Sequence, residues 1–336
     1  MIKTNWYKIC VLLFLIFFSC QNKKKEIKTV ALNIKEQKVI NRTWKQFKFE
    51  PICKITSDSI FNPISIKVDN SEDIYIYDLP KQKIKQVSTS GKLVEYGEGM
   101  GKGPKEFINL TDFFIDDNYI YIVDPNLSKV VVFHKNGKFI KDYELKKIRP
   151  YRIVACKNRF FIRPVNLNNK LLILLNENFM KISEISDFFI NIDPVRRSIL
   201  FDGKMCTDGK DKIYYGFLYT GIILKYSINT HKYDYVYTID KTPLPKVKTF
   251  YGGKGIRAPK KSPKPCIDLF YDNKNIYVLN NTFKKNEPIL DVYDPDLNYK
   301  FSIKLPFKTY FLKIKNKKLF AIMNKGEIFI WRMLAY

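Results

Sequence analysis

The length and composition of the chain indicate a large, mostly β folded unit. It has 336 residues, of which 46% are hydrophobic and 15% aromatic, with 26 Phe and 22 Tyr. A chain of this length can form one large all-β domain or two small ones. Phe and Tyr favour strands because their flat side chains pack well on a pleated surface. Only 14 residues are Gly, so Asn, Asp and Pro must supply most of the turns.

The net charge of +26 first points to nucleic-acid binding. Of the 59 basic residues, however, 50 are Lys and nine are Arg, and they are spread along the whole chain. Arg is the residue that contacts bases and phosphates in a bidentate manner. The distribution therefore favours a solvated, Lys-rich surface, and we expect no nucleic-acid partner.

The N-terminus has the pattern of an export signal followed by a lipid-attachment site. Two lysines precede the apolar run Ile9–Phe18, whose ten residues suit a signal peptide. A spanning helix needs about 20. Ser19 precedes Cys20, and this junction resembles a bacterial lipobox, although its two Phe residues depart from the commonest form. An ordinary signal peptide with an incidental cysteine is the alternative. The predicted divisions are a signal peptide at 1–19, a lipidated Cys20 with a polar tether at 20–43, and a folded domain at 44–336.

From about residue 60 the sequence repeats a four-strand unit six times. The clearest copy runs from Phe113 to Tyr143 and contains Asn136-Gly137, a strong hairpin signal because both turn positions need a positive φ. The copies of the second strand are 74–76, 120–122, 160–162, 213–215, 276–278 and 319–321. Their central residues are 46, 40, 53, 63 and 43 apart, close to the roughly 40–50 residues of a propeller blade. The pattern predicts an all-β, six-bladed β-propeller of four-stranded antiparallel blades, whereas a β-sandwich would not repeat a whole four-strand unit.

The last repeat has only three strands, predicted at Tyr310–Ile314, Leu319–Ile322 and Ile328–Trp331. A further strand at Phe49–Thr56 precedes the first full blade. We expect this strand to complete the last blade and close the ring, because closure removes the unpaired sheet edges that invite aggregation.

The stretch from Gly97 to Phe107 is the most distinctive in the chain. Its pattern is formed by Gly97, Gly99, Gly101, Gly103, Pro104, Glu106 and Phe107. It resembles the G-x-G-x-G-P-x-E-F loop of six-bladed propeller lipoproteins abundant in Bacteroidetes, a family whose molecular role is largely unassigned. The resemblance covers residues 44–336. It implies an NHL-like or TolB-like ring in which this loop has a structural role and joins blade 1 to blade 2. Blades 3 and 4 depart most from the pattern, so their boundaries are the least defined.

Few residues offer the chemistry of a catalytic or metal site. His134 and His231 lie in separate hairpins, whereas NHL-like lyases and lactonases hold metal ions on the axis with His and carboxylate ligands. Asp78, Asp124 and Asn280 follow second strands and could bind calcium, but initiating turns is their simpler role. The cysteines expected to be buried free thiols are Cys53, Cys156, Cys206 and Cys266. No metal, cofactor or catalytic residue is predicted.

The segment Lys241–Pro265 occupies the longest interval between repeats and is the predicted contact surface. It contains no acidic residue and has five prolines, which we expect to prevent regular strand pairing. Its candidate partner-binding residues are Lys246, Lys248, Lys254, Arg257, Lys260, Lys261 and Lys264. These charges suit an acidic protein or an anionic glycan, and a mobile solvated loop is the alternative.

These features predict a lipid-anchored protein of the cell envelope, at the outer membrane and facing the periplasm or the exterior. Its propeller is expected to bind or scaffold a partner, because a propeller presents loops around a rigid ring. The alternative is a metal-dependent NHL-like lyase or lactonase on the same ring.

Overall fold

The second strand of each repeat has a central run of apolar and aromatic residues because it packs against a blade on both faces. In the first repeat, Ile74–Asp78 is buried along its whole length. Ile74 and Ile76 pack with residues of the last repeat, and Tyr75 and Tyr77 pack with residues of the second. Alternate side chains thus reach opposite neighbours, and six such units stack face to face around an axis.

The computed structural model is a ring of six four-stranded antiparallel sheets, which confirms the predicted fold. It describes residues 34–88, 92–165, 170–186, 194–245, 248–250, 255–257, 262–284, 287–309, 311–323 and 326–336. One short 3-10 turn, Leu79–Lys81, and one helix, α1 (Pro194–Leu200), accompany the strands of this part of the chain.

The strands have the following bounds. The first fourteen are β1 (Phe47–Ile55), β2 (Pro63–Val68), β3 (Ile74–Asp78), β4 (Lys83–Val87), β5 (Leu93–Tyr96), β6 (Gly99–Met100), β7 (Glu106–Phe107), β8 (Asp112–Ile115), β9 (Tyr119–Asp124), β10 (Lys129–His134), β11 (Phe139–Glu144), β12 (Pro150–Cys156), β13 (Arg159–Pro164) and β14 (Lys170–Leu175). The others are β15 (Lys181–Ser186), β16 (Gly203–Thr207), β17 (Lys212–Phe217), β18 (Ile222–Ser227), β19 (Tyr233–Tyr237), β20 (Lys248–Phe250), β21 (Gly255–Arg257), β22 (Asp268–Asp272), β23 (Asn275–Lys284), β24 (Glu287–Tyr293), β25 (Tyr299–Lys304), β26 (Leu312–Lys315), β27 (Lys318–Ile322) and β28 (Ile328–Ala335).

Each blade contains four consecutive strands, except the last. Blade 1 is β2–β5, blade 2 is β8–β11, blade 3 is β12–β15, blade 4 is β16–β19 and blade 5 is β22–β25. Blade 6 has the order β26-β27-β28-β1. The first strand of each blade is the innermost, next to the axis, and the six second strands lie where the repeat predicts them.

The N-terminal strand β1 closes the ring, as predicted. It pairs antiparallel with β28 from Phe47 opposite Ala335 to Ile55 opposite Ile328. The register shifts between Pro51 and Cys53. A proline is tolerated there because β1 is the outer edge strand of its sheet, where an absent N–H disrupts little pairing.

Several hairpins turn on residues other than glycine. Asn273 and Lys274 have φ values of 46° and 61°, and Asn316 and Lys317 have 50° and 62°. Positive φ at both central residues is the geometry of the tight two-residue hairpin that matches strand twist. Three of the six connections between first and second strands are made in this way, the third by Lys157 and Asn158 in blade 3.

The long intervals around blade 4 come from connections that precede an innermost strand. Helix α1 lies between blades 3 and 4, and the predicted contact segment lies between blades 4 and 5. The expectation that this segment lacks regular pairing is wrong, because Lys248–Phe250 pairs antiparallel with Gly255–Arg257. All five prolines fall outside residues 246–258, so the N–H groups needed for this hairpin remain available.

Residues 34–45, which we call the N-terminal strap, pack against the ring. Lys35 forms a parallel bridge to Val236 of blade 4, and Trp44 forms one to Ser302 of blade 5. Between them, Gln37 donates to the carbonyl oxygens of Tyr237 and Leu297, both at 2.8 Å. Most of the strap was predicted to belong to the polar tether. Its backbone bridges and the buried side-chain amide of Gln37 instead fix it against blades 4 and 5.

Candidate functional site on the propeller axis

Every blade contributes a charged residue from its innermost strand to a set around the propeller axis; β22 and β26 carry a second one, Asp272 and Lys315, at their far ends. We call this set the axial cluster; its members, from blade 1 to blade 6, are Lys67, Asp112, Arg152, Lys204, Asp268 and Lys313. Each belongs to a strand that is otherwise largely apolar. Because the innermost strands surround the axis, the ring brings together six ionisable groups that are far apart in the chain.

The cluster forms two layers along the axis. Lys67 and Lys313, of adjacent blades 1 and 6, pair with the central residue of their second strands. The other four members pair with the residue two positions further along: Asp112, Arg152, Lys204 and Asp268. Two residues along a strand span about 7 Å. The backbone of the two lysines therefore lies in a lower layer than that of the other four members, and the long lysine side chains extend up to the level of those four.

Two ion pairs join neighbouring blades inside the cluster. The Lys67 Nζ lies 3.1 Å from Asp112 Oδ1, and the Lys313 Nζ lies 2.6 Å from Asp268 Oδ2. Each ammonium group also lies 4.8 Å from the ring centre of a phenylalanine, Phe113 or Phe270. The two pairs engage both carboxylates of the cluster.

The guanidinium group of Arg152 in blade 3 uses only part of its hydrogen-bonding capacity. Its Nη1 donates to the carbonyl oxygen of Thr111 at 3.1 Å, and its Nη2 lies 3.5 Å from Asp202 Oδ1. Its buried Nε has no hydrogen-bond partner among the described residues. Burial opposes the charge of Arg152, but the carboxylates of Asp202 and Asp112 outweigh this effect and raise its pKa.

Lys204 of blade 4 has neither an ion pair nor a hydrogen bond within the part of the chain that the structure describes. It lies opposite Gly216, which has no side chain. Burial, together with the positive charge of Arg152, lowers the pKa of Lys204 to about 8. At pH 7 the ammonium form still predominates, so Lys204 is a charged donor without a protein partner in this part of the ring.

A small cavity opens beside Arg152, on the face where the innermost strands begin; Asp202, the partner of Arg152, lines it, whereas Lys204 does not. It has a volume of about 230 Å³, and its lining includes Tyr151, Arg163, Ser198, Asp202 and Tyr219. Arg163 is 1% exposed and donates to the carbonyl oxygen of Ser198 at 2.6 Å. Its Nε has no partner among the described residues. Tyr151 lies against both arginines, with its ring centre 4.3 Å from Arg152 Cζ and 5.1 Å from Arg163 Cζ.

Two of the three residues considered for calcium hold backbone turns. Asp78 accepts hydrogen bonds from the N–H groups of Phe61 and Asn62 and pairs with buried Lys85 at 2.7 Å. Asp124 accepts four N–H groups, those of Ile108, Asn109, Asn126 and Leu127. Asn280 instead lies within β23 and donates to the side chain of Asp291 at 2.8 Å. The contacts of the two aspartates match the predicted turn role, and those of Asn280 do not.

The histidines and cysteines are dispersed. His134 ends β10, and His231 lies in the turn between β18 and β19. Among the described residues, no three His, Cys, Asp or Glu side chains are arranged to hold a metal ion. The four cysteines of the folded domain are free thiols; Cys156, Cys206 and Cys266 are buried and Cys53 is partly exposed.

The glycine-rich loop joins blade 1 to blade 2, where the family resemblance places it. The Glu106 carboxylate folds back and accepts the N–H of Gly103 at 2.7 Å. A Cβ at position 101 would lie 2.0 Å from that carboxylate, so only Gly101 leaves room for it. Gly97 has a φ of 99°, and a Cβ there would lie 2.7 Å from the ring of buried Phe107.

Most of the predicted partner-binding residues lie outside the described residues, as does Cys20. These are Lys246, Lys254, Lys260 and Lys261. Lys248 and Arg257 pair opposite each other at the base of the β20–β21 hairpin. The Lys264 N–H donates to Asn281 Oδ1 at 2.9 Å. Sequence reasoning missed the axial cluster, although aligning the six repeats on their second strands would have shown at least one charge in each first strand.

Solved structures with the same architecture come from several bacteria. An exported protein of Bacteroides fragilis is 14% identical, with a TM-score of 0.57 over 90% of this chain and 98% of that one. A Bacteroides vulgatus protein of the DUF4221 family is 9% identical, with a TM-score of 0.58 over 87% and 99%. Virginiamycin B lyase of Staphylococcus aureus is 11% identical, with a TM-score of 0.54 over 86% and 100%. Identities this low show a shared fold alone.

The family of the chain follows from a match over most of its length. No curated protein matches the sequence. Within the described residues, no helix is long and apolar enough to cross a membrane. The sequence model of the DUF5128 family, described as a 6-bladed beta-propeller, matches residues 20–332, so the chain belongs to this family of six-bladed propellers.

Proposed function

We propose that the protein is an exported, lipid-anchored binding module whose ligand binds at the propeller axis. The axial cluster supports this most strongly, because hydrogen-bond donors in and beside it have no partner among the described residues. Lys204 and the Nε atoms of Arg152 and Arg163 have no partners among the described residues. A propeller core can be filled with apolar side chains, so stability alone does not require charges at the axis.

The energetic cost of the cluster supports a functional role. Charges lose hydration when they are buried, and replacing buried ion pairs with apolar residues is often neutral or stabilising. Leaving a buried donor unsatisfied costs about 1–3 kcal/mol. Groups of perturbed ionisable residues in a cleft are candidate functional sites for this reason. A ligand that accepts hydrogen bonds from these donors would recover that cost on binding.

The anchor is the second part of the proposal. It is supported by the run Ile9–Phe18 followed by Ser19-Cys20, and by the likeness to an exported protein of Bacteroides fragilis. Two or more acyl chains give stable membrane attachment. In Cys20→Ser cells, the protein should leave the membrane fraction and show altered electrophoretic mobility. Retention with unchanged mobility would place the anchor elsewhere.

Binding at the axis can be tested without knowing the ligand. The protein is purified from its own cell envelope in mild detergent and examined by native mass spectrometry, which should show a bound ligand. Lys204→Met keeps the length of the side chain and removes its charge, and it should reduce occupancy. Lys210→Met is the matched control, because Lys210 is an exposed lysine in a hairpin of the same blade. A ligand retained equally by both variants would place the binding site elsewhere.

A further inference from the structure

We propose that the axial site binds an oxyanion group, a carboxylate, phosphate or sulfate, between Lys204 of blade 4 and Arg152 of blade 3. This inference rests on the proposed function and specifies its ligand. The ligand presents one anionic group to the axis.

The charges around the axis leave an excess of cations. The cluster and its cavity contain five cations, Lys67, Arg152, Arg163, Lys204 and Lys313, and three carboxylates, Asp112, Asp202 and Asp268. Lys67 and Lys313 engage the first and last of these carboxylates. Asp202 is engaged by Arg152 and by the N–H of Gly203 at 2.8 Å. The excess of two positive charges therefore lies on blades 3 and 4.

The two residues are placed to contact one ligand. Arg152 and Lys204 occupy equivalent positions on innermost strands of adjacent blades, and these two strands, β12 and β16, are in contact. Their charges interact, since Arg152 contributes to lowering the pKa of Lys204. An oxyanion between them would relieve the repulsion and accept hydrogen bonds from both.

The size of the cavity indicates how much of the ligand is enclosed. About 230 Å³ is below the roughly 300–1,000 Å³ of pockets that enclose whole drug-sized ligands. Because Asp202 and Arg163 line the cavity and Lys204 does not, it has space for a small part of the ligand adjoining the anionic group, with the rest of the ligand lying across the face of the ring. Tyr151 and Tyr219 at its wall offer apolar surface to the part next to that group.

Isothermal titration with three separate probes tests the proposal: inorganic phosphate, sulfate and acetate, each against the purified protein at pH 7 and low, matched ionic strength. At least one should bind the wild type, and the three titrations distinguish the possible head groups. Lys204→Met should weaken that binding about tenfold or more, since a charge-assisted hydrogen bond contributes about 1.5–3 kcal/mol. Lys210→Met should bind like the wild type.

A charge-preserving variant separates the proposal from a folding defect. The charged groups that act on Lys204 are Arg152, Asp268, Asp112 and Lys313. With a pKa of about 8 in this setting, Lys204 loses its proton by pH 9, so the wild type should bind more weakly there. Lys204→Arg should bind at pH 7 and keep its affinity at pH 9, because Arg stays protonated.

Two results would overturn the proposal. One is that none of the three anions binds the wild type, and the other is that Lys204→Met binds them as tightly as the wild type. A neutral or cationic ligand found by native mass spectrometry, without any effect of these anions, would refute this inference and leave axial binding intact. Absence of any ligand at the axis would refute the proposed function itself.

Discussion

Arg42 of the N-terminal strap forms a buried ion pair whose loss should have a large effect on stability. Its Nε and Nη2 donate to the two oxygens of Asp291 at 3.0 and 2.9 Å, and it also pairs with Asp240. The Asp291 side chain is 2% exposed and the Arg42 side chain 9%. Ser302 and Asn280 donate further hydrogen bonds to Asp291. The strap is thus fastened to blade 5 by a buried, bidentate ion pair.

Arg42→Met should destabilise the fold by about 3–5 kcal/mol, the usual cost of leaving a buried charge without its partner. The methionine keeps much of the apolar volume, so loss of the pair dominates. Urea denaturation followed by aromatic fluorescence measures this as a lower midpoint with a similar slope. The double variant Arg42→Met with Asp291→Asn should recover part of the loss, because no buried charge remains unpaired.

The loss of stability in Arg42→Met should depend on pH in a defined direction. Burial raises the pKa of Asp291 above its ordinary value, although Arg42 opposes the rise. Without Arg42 the pKa rises further. The folded variant then binds a proton at Asp291 more readily than the unfolded chain does, so its stability decreases as pH rises through this range. The difference between variant and wild type should be smallest in acid and largest at neutral pH.

An exposed pair of the same strap provides the control for this prediction. Lys241 and Glu36 form an ion pair with side chains 44% and 57% exposed, and such pairs contribute only about 0–1 kcal/mol. Lys241→Met should therefore change stability little. If Arg42→Met also costs less than about 1 kcal/mol at neutral pH, the buried pair does not fasten the strap.

Three further predictions concern the ring, the loop and the thiols. Deleting residues up to 57 removes β1 and exposes the edge of β28, so the protein should become insoluble; a soluble product that unfolds cooperatively would contradict ring closure. Glu106→Gln should cost about 1–2 kcal/mol by weakening the charge-assisted bond to Gly103, and equal thermal stability of variant and wild type would argue against that role. Burial raises the pKa of all four thiols of the folded domain, but only Cys53 is partly exposed, so it should react with a thiol reagent in the native state faster than the other three; equally rapid reaction of all four would show that the blades open.

The blades were predictable because each second strand carries a complete local signal. Its apolar run is buried on both faces and follows a polar turn, and the spacing of these runs matches one blade. Closure was predictable by counting, since Phe49–Thr56 had no blade of its own and a ring with three strands in one blade would leave an edge. The structure confirms both, with β1 beside β28.

Other features depend on contacts between distant residues and carry little local signal. The strap has a polar, Lys-containing sequence, and its fastening needs Asp240 and Asp291, about 200 and 250 residues away. The β20–β21 hairpin was missed because the prolines were counted over the whole segment rather than located at its two ends. Consecutive members of the axial cluster are between 40 and 64 residues apart in sequence, so the charges could be recognised as one group only when the ring brought them together.

The most direct test of binding at the axis is a crystal of the protein soaked in selenate, an oxyanion whose position an anomalous difference map reveals. We predict an anomalous peak on the axis within hydrogen-bonding distance of Lys204 Nζ and the Arg152 guanidinium. This peak should be absent from Lys204→Met crystals. Peaks confined to exposed surface lysines, with none between blades 3 and 4, would contradict this prediction.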